Sequence, residues 1–83
     1  MYRYHTVSEI HRHPEGLSYE AYGIVCIEGE GEDARQVAYV SDVSCDGAAL
    51  AALVALCNEE ELSPLHLVNV VDDWLYEQEF PLT

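Results

Sequence analysis

The chain has 83 residues, 49% of them apolar, and sets 16 acids against three Arg and no Lys for a formal charge of −13. That much apolar content argues against global disorder, while the negative field repels phosphate backbones and excludes direct nucleic-acid binding from the expected functions. No apolar run approaches the roughly 20 residues of a membrane span. The opening Met1-Tyr2-Arg3-Tyr4-His5 lacks a signal-peptide core, so one soluble cytoplasmic domain over 1–83 is expected.

Residues 2–11 alternate as a strand, with Tyr2, Tyr4, Thr6, Ser8 and Ile10 on one face and His5 and His11 on the other. His13-Pro14-Glu15-Gly16 reads as a turn. A second strand is expected over 17–28. Its Gly23–Ile27 half is apolar on both faces, as in a central strand, and Gly23 marks either a bulge or a close approach by a neighbouring element. Gly29-Glu30-Gly31-Glu32-Asp33 is a flexible acidic connection without the ligand spacing of a calcium loop. A third strand over 35–43 follows, and short connections between consecutive strands imply an antiparallel meander.

A first helix is expected over 46–58, capped by Ser44 or Asp46, with Leu50, Leu53, Val54 and Cys57 facing inward and Asn58 taking the left-handed ending position. The second, over 64–78, has the clearest start: Ser63 as cap, Pro64 at the first helical position, and Leu62 and Leu67 spaced as a hydrophobic staple. Glu61 there suits the helix dipole. The helix ends near Gln78, ahead of Pro81. The expected fold class is therefore α+β: a three-stranded antiparallel β-meander followed by a two-helix hairpin packed on one face, β-β-β-α-α.

Tyr22-Gly23-Ile24, Cys57-Asn58, Leu62-Ser63-Pro64, His66-Leu67, Val70-Val71 and Asp73-Trp74-Leu75 resemble a family of short bacterial proteins of unknown function. The resemblance covers roughly residues 22–75, leaving the first strand and the acidic loop unmatched. It implies a small bacterial protein and no activity, cofactor or catalytic residue.

The residues themselves point to little chemistry. Cys26 and Cys57 read as small buried hydrophobes, and only Cys45 lies near a helix N-terminus, where a thiolate is favoured. Asp72 and Asp73 are sequence neighbours about 100° apart on a helix, so they form no carboxylate pair. His5, His11 and His13 lack partners at zinc-site spacing. His66 stands out, at the third position of helix two where a capping box has Glu or Gln. Its plain role is to reach back towards Ser63 or to pack over the turn. No cofactor, metal ligand or catalytic residue is expected.

Two functions remain. The first is a non-catalytic protein-interaction module that binds a protein partner or itself, most simply as a homodimer. Its surface would be the open sheet face, anchored by Tyr2 and Tyr4 with whichever of Tyr19 or Tyr22 shares their face, while Tyr39, Trp74, Tyr76 and Phe80 add to the aromatic excess. The alternative is a small enzyme or metal-dependent binder using His66 and nearby acids, which requires a pocket of convergent polar groups. The first is the expectation adopted.

Overall fold

The computed structural model describes residues 1–79, with side chains through Gln78; Phe80 and Pro81 lie outside the described residues. β1 (Tyr2–Arg12) and β2 (Ser18–Glu28) form a hairpin in unbroken register from Tyr2 opposite Glu28 to Arg12 opposite Ser18. The turn closes with His13 N–H donating to the Leu17 carbonyl at 2.7 Å, and Gly16, at φ 91°, supplies a conformation costly for other residues. After a 3-10 turn at Gly31–Asp33, β3 (Arg35–Ser44) pairs antiparallel with β2, so the sheet order is β1-β2-β3 with β2 central. The meander and the two helices after it are as the sequence pattern dictates.

β3 is less regular than β1. Between Tyr22 and Ile24 the register jumps from Ser44 to Val40, so extra β3 residues lie opposite Gly23. Asp42, inside this bulge, has φ 54°. The bulge turns Val43 into the core and re-aims the Asp42 backbone.

α1 (Gly47–Glu59) is capped by Asp46, whose carboxylate accepts the Ala49 N–H at 3.0 Å. Ser44 instead accepts the N–H of Asp46. Gly47 lets the helix start close to Tyr22: a Cβ there would stand 2.8 Å from the ring, which would have to shift. At the other end Leu62 N–H reaches the Cys57 carbonyl and Glu61 N–H the Asn58 carbonyl, a Schellman ending. The left-handed residue is Glu61, at φ 51°, and not Asn58 as expected. Asn58 stays within the helix, freeing its amide for another role described below.

α2 (Leu67–Glu79) is preceded by a 3-10 turn at Pro64–His66, where a regular helical start was expected. Ser63 Oγ accepts from Leu65 N–H at 3.4 Å, and His66 N–H closes onto the Ser63 carbonyl. This i to i+3 closure tightens the first turn. Leu62 and Leu67, the two ends of the expected staple, both pack against the core.

The core is built from Tyr4, Ile24, Cys26 and Val43 of the sheet, Leu50, Leu53, Val54 and Cys57 of α1, and Leu67 and Val71 of α2, all buried. Both helices therefore cover the same sheet face. Trp74 packs at its margin.

Candidate functional site

Side chains alternate along a strand, so the helices divide the sheet residues into two sets. Tyr4 lies in the core and is paired with Cys26, which puts the even-numbered residues of β1 and β2 towards the helices. The odd-numbered ones, among them Arg3, His5, Val7, Glu9 and His11 on β1 and Tyr19, Ala21, Gly23, Val25 and Ile27 on β2, form the uncovered face. On β3, Tyr39 opposite Val25 and Gln36 opposite Ile27 join them.

Glu9 organises this face. From β1 its carboxylate crosses over β2 and reaches β3, where it accepts one hydrogen bond from the Tyr39 hydroxyl and another, of 2.9 Å, from Asp42 N–H. His11 Nε2 lies 2.8 Å from Glu9 Oε1. The crossing is possible only above a glycine. A Cβ on Gly23 would stand 2.7 Å from Glu9 Oε2 and 2.6 Å from the Val40 carbonyl oxygen. Gly23 thus marks both the bulge and the close approach that its position in a strand implied.

A second tether runs beside the first. Tyr19 donates its hydroxyl to Asp42 at 3.0 Å, and its ring stacks on His11 with centroids 5.4 Å apart. That hydrogen bond to a carboxylate, with some desolvation, holds the Tyr19 phenol above its usual pKa. Each tyrosine ring is therefore pinned at its hydroxyl end while remaining substantially open, Tyr19 at 39% and Tyr39 at 47% exposure. Beneath them Ala21 and Val25 are buried although no helix among the described residues covers this face.

The tyrosines expected to share one open surface are divided between the two faces. Tyr4 is a correction: at 1% exposure it is a core residue, donating its hydroxyl to the Leu62 carbonyl at 2.6 Å. Burial raises its pKa strongly. Tyr22 also faces the helices, against Gly47, and donates to Glu20. Tyr2 shares that side, at the sheet margin beside Glu28. Only Tyr19 of the four lies on the uncovered face. Alternation correctly grouped Tyr2 with Tyr4, yet it is silent on which side of a strand the helices will cover.

The β1 margin holds another unexpected contact. Asn58 Oδ1 accepts from Tyr4 N–H at 2.8 Å, and Asn58 Nδ2 donates to the Tyr4 carbonyl at 3.0 Å. The side-chain amide makes the two bonds that a neighbouring strand would make.

His66 is exposed in the 3-10 turn, and among the described residues its ring has no hydrogen-bond partner. No group of three or more His, Cys, Asp or Glu among the described residues is placed to hold a metal ion. Cys26 and Cys57 are buried free thiols whose pKa values burial raises, and Cys45 is exposed. No helix among the described residues is long and apolar enough to cross a membrane.

No curated protein and no solved structure matches this chain. A family model does, across residues 1–77, and so includes the first strand and acidic loop that the shorter resemblance left out. The chain belongs to that family, described as a family of unknown function (DUF6514).

Proposed function

We propose that the chain is an acidic, cytoplasmic protein-interaction module without catalytic chemistry, that its surface is the uncovered sheet face, and that its simplest partner is a second copy. The observation carrying this reading is the pair of half-open tyrosines, Tyr19 and Tyr39, each pinned through its hydroxyl to a carboxylate. Rings already fixed lose little freedom on binding, and an apolar body with a polar tip suits an interface.

Charge favours self-association at this face over any other. Glu9 and Asp42 are its acids, and both are engaged by tyrosine hydroxyls. The other acids lie on turns, loops, helices or the helix-facing side, whereas Arg3, His5 and His11 lie on the uncovered face. Two copies of a −13 chain meet with least repulsion here. Strands of ten or eleven residues, up to about 36 Å long and three abreast over about 15 Å, would cover roughly 500 Å² per copy. A total of about 1,000 Å² belongs to the weak end of specific interfaces. Cytoplasmic residence fits three unpaired cysteines, two of them in the core.

Sedimentation velocity from low to high micromolar concentration tests the reading. The expected result is a concentration-dependent dimer, favoured by added salt, that Tyr19→Ala and Arg3→Glu weaken. Equal association by these variants and the parent chain would remove the uncovered face as the interface.

A further inference from the structure

We infer that the outer edge of β1, from Thr6 to Arg12, is a separate joint that accepts the β1 strand of a second copy, antiparallel and in register about Glu9. It is independent of the uncovered face and of the tyrosines on it.

Backbone direction identifies the free groups. Tyr4 N–H and C=O point out of the sheet, since both bond to Asn58. Met1 C=O and His13 N–H point inward, to Gly29 and Leu17. Odd-numbered residues of β1 therefore bond to β2, and even-numbered ones turn their backbone groups outward. Among the described residues no protein group meets the N–H or C=O of Thr6, Ser8 or Ile10. An edge in this state is a template for strand addition. The opposite edge of the sheet is different: β3 is interrupted by two register shifts and the left-handed Asp42, whereas β1 runs without a break.

The length and ends of the free stretch select a second copy as its occupant. Asn58 occupies the edge at Tyr4, and Pro14, which has no N–H, stands beyond Arg12 in the turn. Glu9 is the midpoint of what lies between. Rotating a second chain about that point sets Thr6 opposite Arg12 and Ser8 opposite Ile10, so outward groups meet outward groups in about eight hydrogen bonds. Tyr4 then faces Pro14, and Asn58 keeps its place. Sliding by two residues sets Arg12 against the clamped Tyr4 in one direction, or Thr6 against Pro14 in the other. Both slides lose bonds.

Electrostatics permits the joint. β1 carries Arg3 and Arg12 against Glu9 alone, in a chain whose net charge is −13. The two Glu9 backbones would be opposed. Each carboxylate, however, lies over Gly23 of its own β2. The two charges are thereby separated by about three strand spacings, roughly 14 Å, which exceeds the screening length of about 8 Å at physiological salt.

Amide hydrogen exchange of the full chain, read with its light-scattering mass at low and at high micromolar concentration, tests this. Val7, Glu9 and His11 amides should be protected throughout. Thr6, Ser8 and Ile10 amides should gain at least about tenfold protection as the mass doubles. Ser8→Pro removes an outward N–H and no bond to β2, so it should keep the circular dichroism of the parent and abolish the doubling. Doubling without new protection at Thr6, Ser8 and Ile10 overturns the edge joint and leaves the uncovered face as the interface. So does doubling that persists in a folded Ser8→Pro chain. Constant monomer mass overturns both joints. Doubling with the alternating protection, undiminished by Tyr19→Ala, upholds the edge and removes the face.

Discussion

The two faces of this sheet are held in different ways. Towards the helices, Tyr4, Ile24, Cys26 and Val43 meet Leu50, Leu53, Leu67 and Val71, and burial of apolar surface does the holding. On the other side no helix among the described residues arrives, yet Ala21 and Val25 are still buried. There the cover is the sheet's own polar side chains. Glu9 crosses from β1 to β3, and Tyr39, His11, Tyr19 and Asp42 close around it. A small sheet with helices for only one face has thus sealed the other with charge-assisted hydrogen bonds and left two tyrosine rings half open above them.

Substitutions on the two faces should differ in kind as well as size. The largest loss is expected on the helix side: Leu50→Ala, at a fully buried position, should cost about 2–5 kcal/mol in chemical denaturation. On the uncovered side Gly23→Ala should cost about 1–3 kcal/mol, because the new methyl meets a backbone carbonyl and the Glu9 carboxylate together. A neutral Gly23→Ala would mean that Glu9 does not cross there. Asn58→Ala, which uncaps the edge at Tyr4, should cost about 1–2 kcal/mol and speed exchange of the Tyr4 amide.

The hairpin joining the helices permits a gain. Glu61 holds a left-handed conformation that disfavours a side chain, and its charge, expected to suit the α2 dipole, stands instead directly past the negative end of α1, with α2 starting only at Leu67. Glu61→Gly should raise stability by about 1 kcal/mol in thermal unfolding, even after the extra entropy glycine gives the unfolded chain.

Alkaline pH should weaken both faces through named groups. The thiols of Cys26 and Cys57 are raised above their reference value of 9.0, and the phenols of Tyr4 and Tyr19 above 10.0. An acid whose folded pKa is raised contributes stability that is full below its unfolded value and is lost as pH climbs through the folded one. Melting temperature should accordingly hold up to about pH 9 and fall beyond it, the thiols acting first. Cys26→Ser should remove part of the earliest loss.

What the sequence reveals follows from the range of the interactions involved. The cap at Asp46, the Ser63-Pro64 start and the Leu62 and Leu67 pair act within a few residues, so the order of strands and helices can be read directly. Gly23 is legible for a related reason: a lone glycine in an apolar strand marks a bulge or the close approach of a neighbour. The neighbour is not legible, because Glu9 and Asp42 are 33 residues apart and nothing local distinguishes Glu9 from any other strand acid. Tyr4 shows the same limit. Its neighbours Tyr2 and Thr6 share its face, but the helices that choose that face for the core begin more than forty residues later. Asn58, at a helix end, looks like a terminator. Leu62 packs against the core one residue past Glu61, and the paired bonds from Leu62 N–H to Cys57 and from Glu61 N–H to Asn58 put the turning point at Glu61 instead.

A double-mutant cycle between Glu9→Ala and Tyr39→Phe in urea unfolding tests most directly whether one carboxylate crossing β2 ties the three strands together on the uncovered face. Direct contact predicts a coupling energy of about 0.5–3 kcal/mol, with the second substitution costing much less once the first is present. Simple additivity of the two losses would contradict the bridge.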